Sequence, residues 1–121
     1  MRGGVACLIM ATLTACGARE LSDADVLEYA SSTYDKRAMQ GRTLVLGRHR
    51  GVEVLVEFPC ADLCPAYTTR VVRYALPAGT ECAAQGGVEK LISVPEGIGR
   101  KERSYCVPAV LAANWERYRR W

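Results

Sequence analysis

The chain predicts an α+β domain: a small antiparallel sheet of about four strands, with an N-terminal and a C-terminal helix, stapled by disulfides. Three observations point there. Residues 43–58 hold two β-rich runs separated by a polar, glycine-flanked turn. Apolar side chains near both ends of the domain recur at helical spacing. Four cysteines, Cys60, Cys64, Cys82 and Cys106, lie downstream of a leader-like segment.

Each element has its own signal. Ser22 followed by Asp25 has the pattern of a helix start, a hydroxyl cap with a carboxylate three residues on. Val26, Leu27, Tyr29 and Ala30 then supply an apolar face, predicting a helix over about 23–32. Thr43 to Leu46 reads as a strand. Gly47-Arg48-His49-Arg50-Gly51 reads as the polar turn after it. From Val52 to Phe58 the residues alternate, so Val52, Val54, Val56 and Phe58 share a core face. Glu53, Leu55 and Glu57 share the other, wet face, and Pro59 ends the strand. Residues 68–76 are β-rich, with Val72, Tyr74 and Leu76 on one side; Pro77-Ala78-Gly79 is a turn. Val88 to Val94 is a further strand, closed by Pro95 and the glycines of Glu96-Gly97-Ile98-Gly99. Pro108 suits the first turn of a final helix, whose stripe is Val107, Leu111, Trp115 and Tyr118.

The N-terminus is built differently. Arg2 precedes an apolar run of about nine residues, Val5 to Leu13, well short of the roughly 20 that span a bilayer. The layout is that of a secretory signal. It closes on Leu13-Thr14-Ala15-Cys16, which resembles the lipobox of bacterial lipoproteins. That resemblance implies cleavage between Ala15 and Cys16. It also implies a diacylglycerol thioether and an N-acyl chain on Cys16, enough for permanent membrane attachment. It further implies the outer membrane, facing the periplasm, because Gly17 stands where an Asp would favour inner-membrane retention. The organisation expected is signal peptide 1–15, lipidated tether 16–21 and a single domain 22–121.

The leader simplifies the cysteines. Of six, Cys7 leaves with the signal and Cys16 goes to lipid. The remaining four, in an oxidising space, read as two disulfides. Cys60–Cys64 with Cys82–Cys106 is the expected pairing, and the two crossed pairings stay open. The whole chain carries a net charge of +3, and losing Arg2 lowers it further. That is too weak an excess to argue for a polyanionic partner, and nucleic acid is not expected.

Phe58-Pro59-Cys60-Ala61-Asp62-Leu63-Cys64-Pro65 carries a C-x-D-x-C-P pattern after an apolar strand. It is similar to the copper-site segment of the SCO (SenC) family of periplasmic assembly factors. That resemblance implies a thioredoxin-like fold, with both cysteines and a downstream histidine holding copper. Two thiolates are soft ligands suited to Cu(I). The alternative function is therefore copper handling or thiol redox chemistry at Cys60 and Cys64. The one histidine, His49, lies upstream and reads as a solvated turn residue. The chain has no G-x-S-x-G elbow, and Glu53 and Glu57 read as solvated. No catalytic residue is singled out. In Trp115-Glu116-Arg117-Tyr118-Arg119-Arg120-Trp121, the rings are expected to pack on the sheet and the arginines to be solvated. Contact with lipid headgroups or an acidic partner is the other reading. The function expected is an outer-membrane-anchored lipoprotein acting as a structural or protein-binding envelope module.

Overall fold

A computed structural model describes residues 19–60 and 70–118. Ala15, Cys16 and Cys64 lie outside the described residues. The architecture is α+β: a three-stranded antiparallel sheet, a two-stranded antiparallel hairpin and helices packed against them.

Helix α1, Asp23–Ser31, starts as the sequence predicts. The Asp25 N–H donates to Ser22 Oγ at 3.1 Å, and the Ser22 N–H donates to Asp25 Oδ2 at 2.9 Å, a reciprocal capping box. Val26 and Ala30 face the core. A short helix α2, Lys36–Met39, follows, capped by Asp35, whose carboxylate accepts from the Ala38 N–H.

Strand β1 is Thr43–His49 and β2 is Val52–Glu57. The strand β1 thus runs through the residues expected as turn. The loop is only Arg50-Gly51, with φ of 54° and 83°. Two positive φ values are the pattern of the type I′ hairpin, whose twist matches the strands it joins. A β-bulge falls between Val45 and Gly47. Val52, Val54, Val56 and Phe58 are buried, as alternation requires. Strand β3, Val71–Tyr74, pairs with β2, giving the order β1-β2-β3. Both Val71 and Val72 are buried, so β3 is covered on two faces rather than one.

The second unit differs most from expectation. Strand β4, Gly87–Glu96, pairs along its whole length with β5, Gly99–Pro108. The loop between them is Gly97-Ile98, with Gly97 at φ 59°. The glycines there turn a hairpin instead of ending a sheet, so among the described residues five strands replace about four. They form two sheets instead of one, with β5 lying alongside β3. The final helix is split into α3, Ala109–Ala113, and α4, Trp115–Tyr118, with Asn114 between them. Val107, expected on the helical stripe, is a buried strand residue.

The core is shared by every unit: Val26 of α1, Val54, Val56 and Tyr74 of the sheet, Val94, Tyr105 and Val107 of the hairpin, and Leu111 of α3. The segment read as tether also joins it. The Arg48 N–H donates to the Arg19 carbonyl at 2.7 Å, and the Leu21 N–H donates to the Arg48 carbonyl at 2.5 Å. Residues 19–21 therefore form a parallel bridge on the edge of β1, and Leu21 is only 3% exposed. The folded part begins before residue 22, because this edge offers unpaired backbone groups and a pocket for a leucine.

Candidate functional site

The site that stands out is polar, buried and built around His49. In β1 successive side chains alternate, so Arg48 is exposed while His49 points inward and is 2% exposed. The solvated turn histidine expected from Arg48 and Arg50 is thus corrected. The turn is three residues shorter on this side than the glycines suggest, and the strand carries His49 into the core. Its two ring nitrogens are both engaged. Nδ1 lies 2.9 Å from Tyr74 Oη on β3, and Nε2 lies 2.6 Å from Asp23 Oδ1 at the start of α1. A carboxylate only accepts, so Nε2 carries the proton in that bond. In the neutral ring the Tyr74 hydroxyl then donates to Nδ1. The His49 and Tyr74 rings stack with their planes 21° apart.

Arg50 completes the cluster from the turn, donating from Nη2 to Asp23 Oδ1 at 3.3 Å and Oδ2 at 3.1 Å. The hydrogen bond from His49, reinforced by the Arg50 charge, holds the Asp23 carboxyl below its usual range despite some desolvation. Burial pushes the Tyr74 hydroxyl up, so it stays protonated and available as a donor. The line Tyr74–His49–Asp23–Arg50 joins four pieces of chain: β3, the end of β1, the first turn of α1 and the hairpin loop.

Its chemistry is that of a clasp. A general base needs a face open to substrate. Both nitrogens of His49 are occupied by protein groups, and Tyr74 is 1% exposed. His49 and Tyr74 are thus closed to solvent, while the Asp23 carboxylate and the Arg50 guanidinium at the outer end of the line are 47% and 66% exposed. Beside it, on the solvent side of the hairpin, a cleft of about 450 Å³ is lined by residues that include Arg48, Glu53, Leu76, Thr80 and Gln85.

The cysteines are placed in part. Cys82 and Cys106 form a disulfide with Cα atoms 5.6 Å apart, one of the two bridges expected. Cys60 is buried, 2% exposed, and is itself disulfide-bonded. Among the described residues no cysteine is free, and no group of three or more His, Cys, Asp or Glu side chains could hold a metal ion. A bridged Cys60 offers no thiolate, so copper binding there would first require reduction. Of the two glutamates read as wet, Glu53 is exposed. Glu57 is not: its Oε1 accepts from Arg73 Nε at 2.6 Å, both side chains largely covered. In the C-terminal segment, Trp115 and Tyr118 pack against the core. Lys90 Nζ sits over the Trp115 ring at 5.4 Å.

Sequence reasoning missed the His49 cluster for a plain reason. Its members lie 25 and 26 residues apart along the chain, and each is ordinary in its local context. The signal that could have found it was a two-residue hairpin loop at Arg50-Gly51, which sets His49 opposite the core-facing Val52. Alternation counted forward from Leu44 and Leu46 would have failed, because the bulge between Val45 and Gly47 reverses it. No protein family, curated protein or solved structure matches the chain.

Proposed function

We propose that this chain is an exported bacterial lipoprotein, cut after Ala15 and lipidated on Cys16, held at the outer membrane and facing the periplasm. Its domain serves as a structural or protein-binding module of the envelope. One observation carries the reading furthest. All three described cysteines, Cys60, Cys82 and Cys106, are in disulfides, in a domain small enough to need staples. Such bridges persist in oxidising compartments and are rare in the cytosol. The lipobox-like Leu13-Thr14-Ala15-Cys16 supplies the route there, and Gly17 favours the outer membrane. Among the described residues no helix is long and apolar enough to cross a membrane, so attachment rests on lipid. The buried His49–Tyr74 pair serves to consolidate the fold.

The experiment is fractionation combined with metabolic labelling by palmitate. The natural chain should label and sediment with the outer membrane. Cys16→Ser should lose the label and either accumulate as uncut precursor or leave the membrane. A Cys16→Ser protein still cut and membrane-held would overturn the proposal.

A further inference from the structure

We infer that, with Cys16 lipidated, the outer edge of β1 rests directly on the lipid headgroups, so that the domain stands on its first strand instead of swinging on a leash. The inference rests on the lipid-anchor reading above and adds to it an interaction surface and its partner, a bilayer surface.

The argument is one of length. Arg19 is already part of the fold: its carbonyl accepts from the Arg48 N–H, and two residues later Leu21 is bonded to the same strand and buried. Gly47 makes this possible. A Cβ there would collide with the Arg19 carbonyl oxygen and crowd Leu21 Cγ at 3.1 Å. Only Gly17 and Ala18 separate Cys16 from Arg19. Whatever their conformation, three Cα–Cα steps span at most about 11 Å. The polar layer on each side of a bilayer is itself roughly 5–8 Å thick. A lipidated Cys16 must sit at that layer, so Arg19 and the strand it is bonded to are held at the membrane surface. The same edge carries Arg48, exposed, and Val45, 59% exposed.

Charge does not drive this contact. Arg19 is paired with Asp25 at 3.3 Å, and Arg50 with Asp23 at 3.1 Å. Glu20 Oε2 accepts from the Arg50 N–H at 3.2 Å. Three arginines here, Arg19, Arg48 and Arg50, are balanced in number by three acids, Glu20, Asp23 and Asp25, and Arg48 itself donates to the Gly51 carbonyl at 3.2 Å. The contact therefore follows from the short connection and is indifferent to anionic lipid.

The β4–β5 hairpin provides the contrast. Its base lies at the His49 end of the sheet, because a Cβ on Gly87 would come within 3.1 Å of Tyr74. Nine residue steps along β4 then put its tip about 30 Å from that base. Ile98, 92% exposed, stands at that tip.

The test uses the full lipidated chain, purified from membranes and reconstituted into vesicles bearing a headgroup nitroxide. Fluorophores are placed through Arg48→Cys or Val45→Cys on the edge, and through Ile98→Cys at the tip. One set of vesicles is phosphatidylcholine alone; the other is phosphatidylethanolamine with phosphatidylglycerol. Edge labels should lose most of their emission in both, while the tip label keeps most of its own. A flexible insert of about 20 Gly and Ser residues between Ala18 and Arg19, reaching roughly 25 Å, should erase the difference. Equal quenching at edge and tip overturns the inference, and so does edge quenching that appears only with phosphatidylglycerol. The mass of the N-terminal peptide from the same sample separates the two levels. An unlipidated Cys16 overturns the anchor and the orientation together. A lipidated Cys16 with unquenched edge labels overturns the orientation alone.

Discussion

Two glycines, Gly47 and Gly87, do the same job at two regions of the molecule, and the ties they admit are of opposite kinds. Gly47 lets the Arg19–Leu21 segment close on β1, where it is held by backbone hydrogen bonds and by the adjoining Asp23–His49–Tyr74 cluster. Gly87 lets a covalent bond form, since a Cβ there would lie 2.5 Å from Cys106 Sγ and 2.8 Å from Cys82 Sγ. The first tie joins residues 25 to 29 apart, from His49–Tyr74 to Arg19–Arg48, through weak, solvent-exchangeable bonds. The second joins residues 24 apart through a bond that constrains the unfolded chain as well. The comparison teaches that loop length does not decide how a contact is secured. The N-terminal tie lies where strand pairing and a buried leucine are available. The hairpin base buries Val107 in the core, whereas the short 3-10 turn beside it, Ala83–Gln85, has no buried residue of its own, so the bridge is what ties that turn to the hairpin.

The covalent side should show the largest effect. Replacing the pair together, Cys82→Ser with Cys106→Ser, removes a cross-link closing about 25 residues and should cost about 3–4 kcal/mol. Chemical denaturation under non-reducing conditions reads this directly. A loss under 1 kcal/mol would mean that the hairpin base is held by packing after all, and the contrast between the regions would fall.

A smaller loss is expected on the polar side. His49→Phe keeps ring volume but leaves the buried Tyr74 hydroxyl without its partner, at about 2 kcal/mol. Adding Tyr74→Phe should recover part of that, because two matched apolar groups leave nothing unsatisfied. If the double variant is no better than His49→Phe alone, the hydroxyl was not the cause.

The smallest effect is the acid limb. Asp23 is held below its usual range by His49 and Arg50, so its folded pKa lies under the unfolded one. The stability this contributes is present above about pH 4, the unfolded value, and is lost as pH falls through the lower folded value. Asp23 is half exposed, which screens the gain. Melting temperature followed from pH 6 to pH 2 should fall less steeply in Asp23→Asn than in the natural chain. An identical slope would remove Asp23 from the acid response and leave it to Asp25, whose bonds from Ser22 also lower its carboxyl.

Legibility in the sequence followed the reach of each interaction. The helix α1 was readable because its capping box lies within four residues. The core face of β2 was readable because alternation is a local property of an extended chain. Strand β5 was not, since Gly99 to Ser104 is polar and exposed throughout and gains its extended form only from pairing with β4. The split of the last helix at Asn114 was hidden because the apolar stripe runs on past it. For the candidate site, the count of cysteines pointed to disulfides, with Cys82–Cys106 expected and two crossed pairings left open until the structure placed the bridge. His49 was misplaced because its arginine neighbours describe the outer face of a strand whose inner face it occupies.

By itself, then, the sequence determined the α+β class, the cap of the first helix and the buried face of β2, while the structure alone chose Cys82–Cys106 among the three possible pairings. Each of the first three rests on periodicity or local hydrogen bonding. Tertiary structure alone decided that β4 and β5 form a separate hairpin. It also decided that the supposed tether is a bonded edge segment, and that Asp23, His49, Tyr74 and Arg50 meet. Those outcomes depend on which distant backbone and side-chain groups satisfy one another once water is excluded, and nothing in a short window of residues encodes that choice.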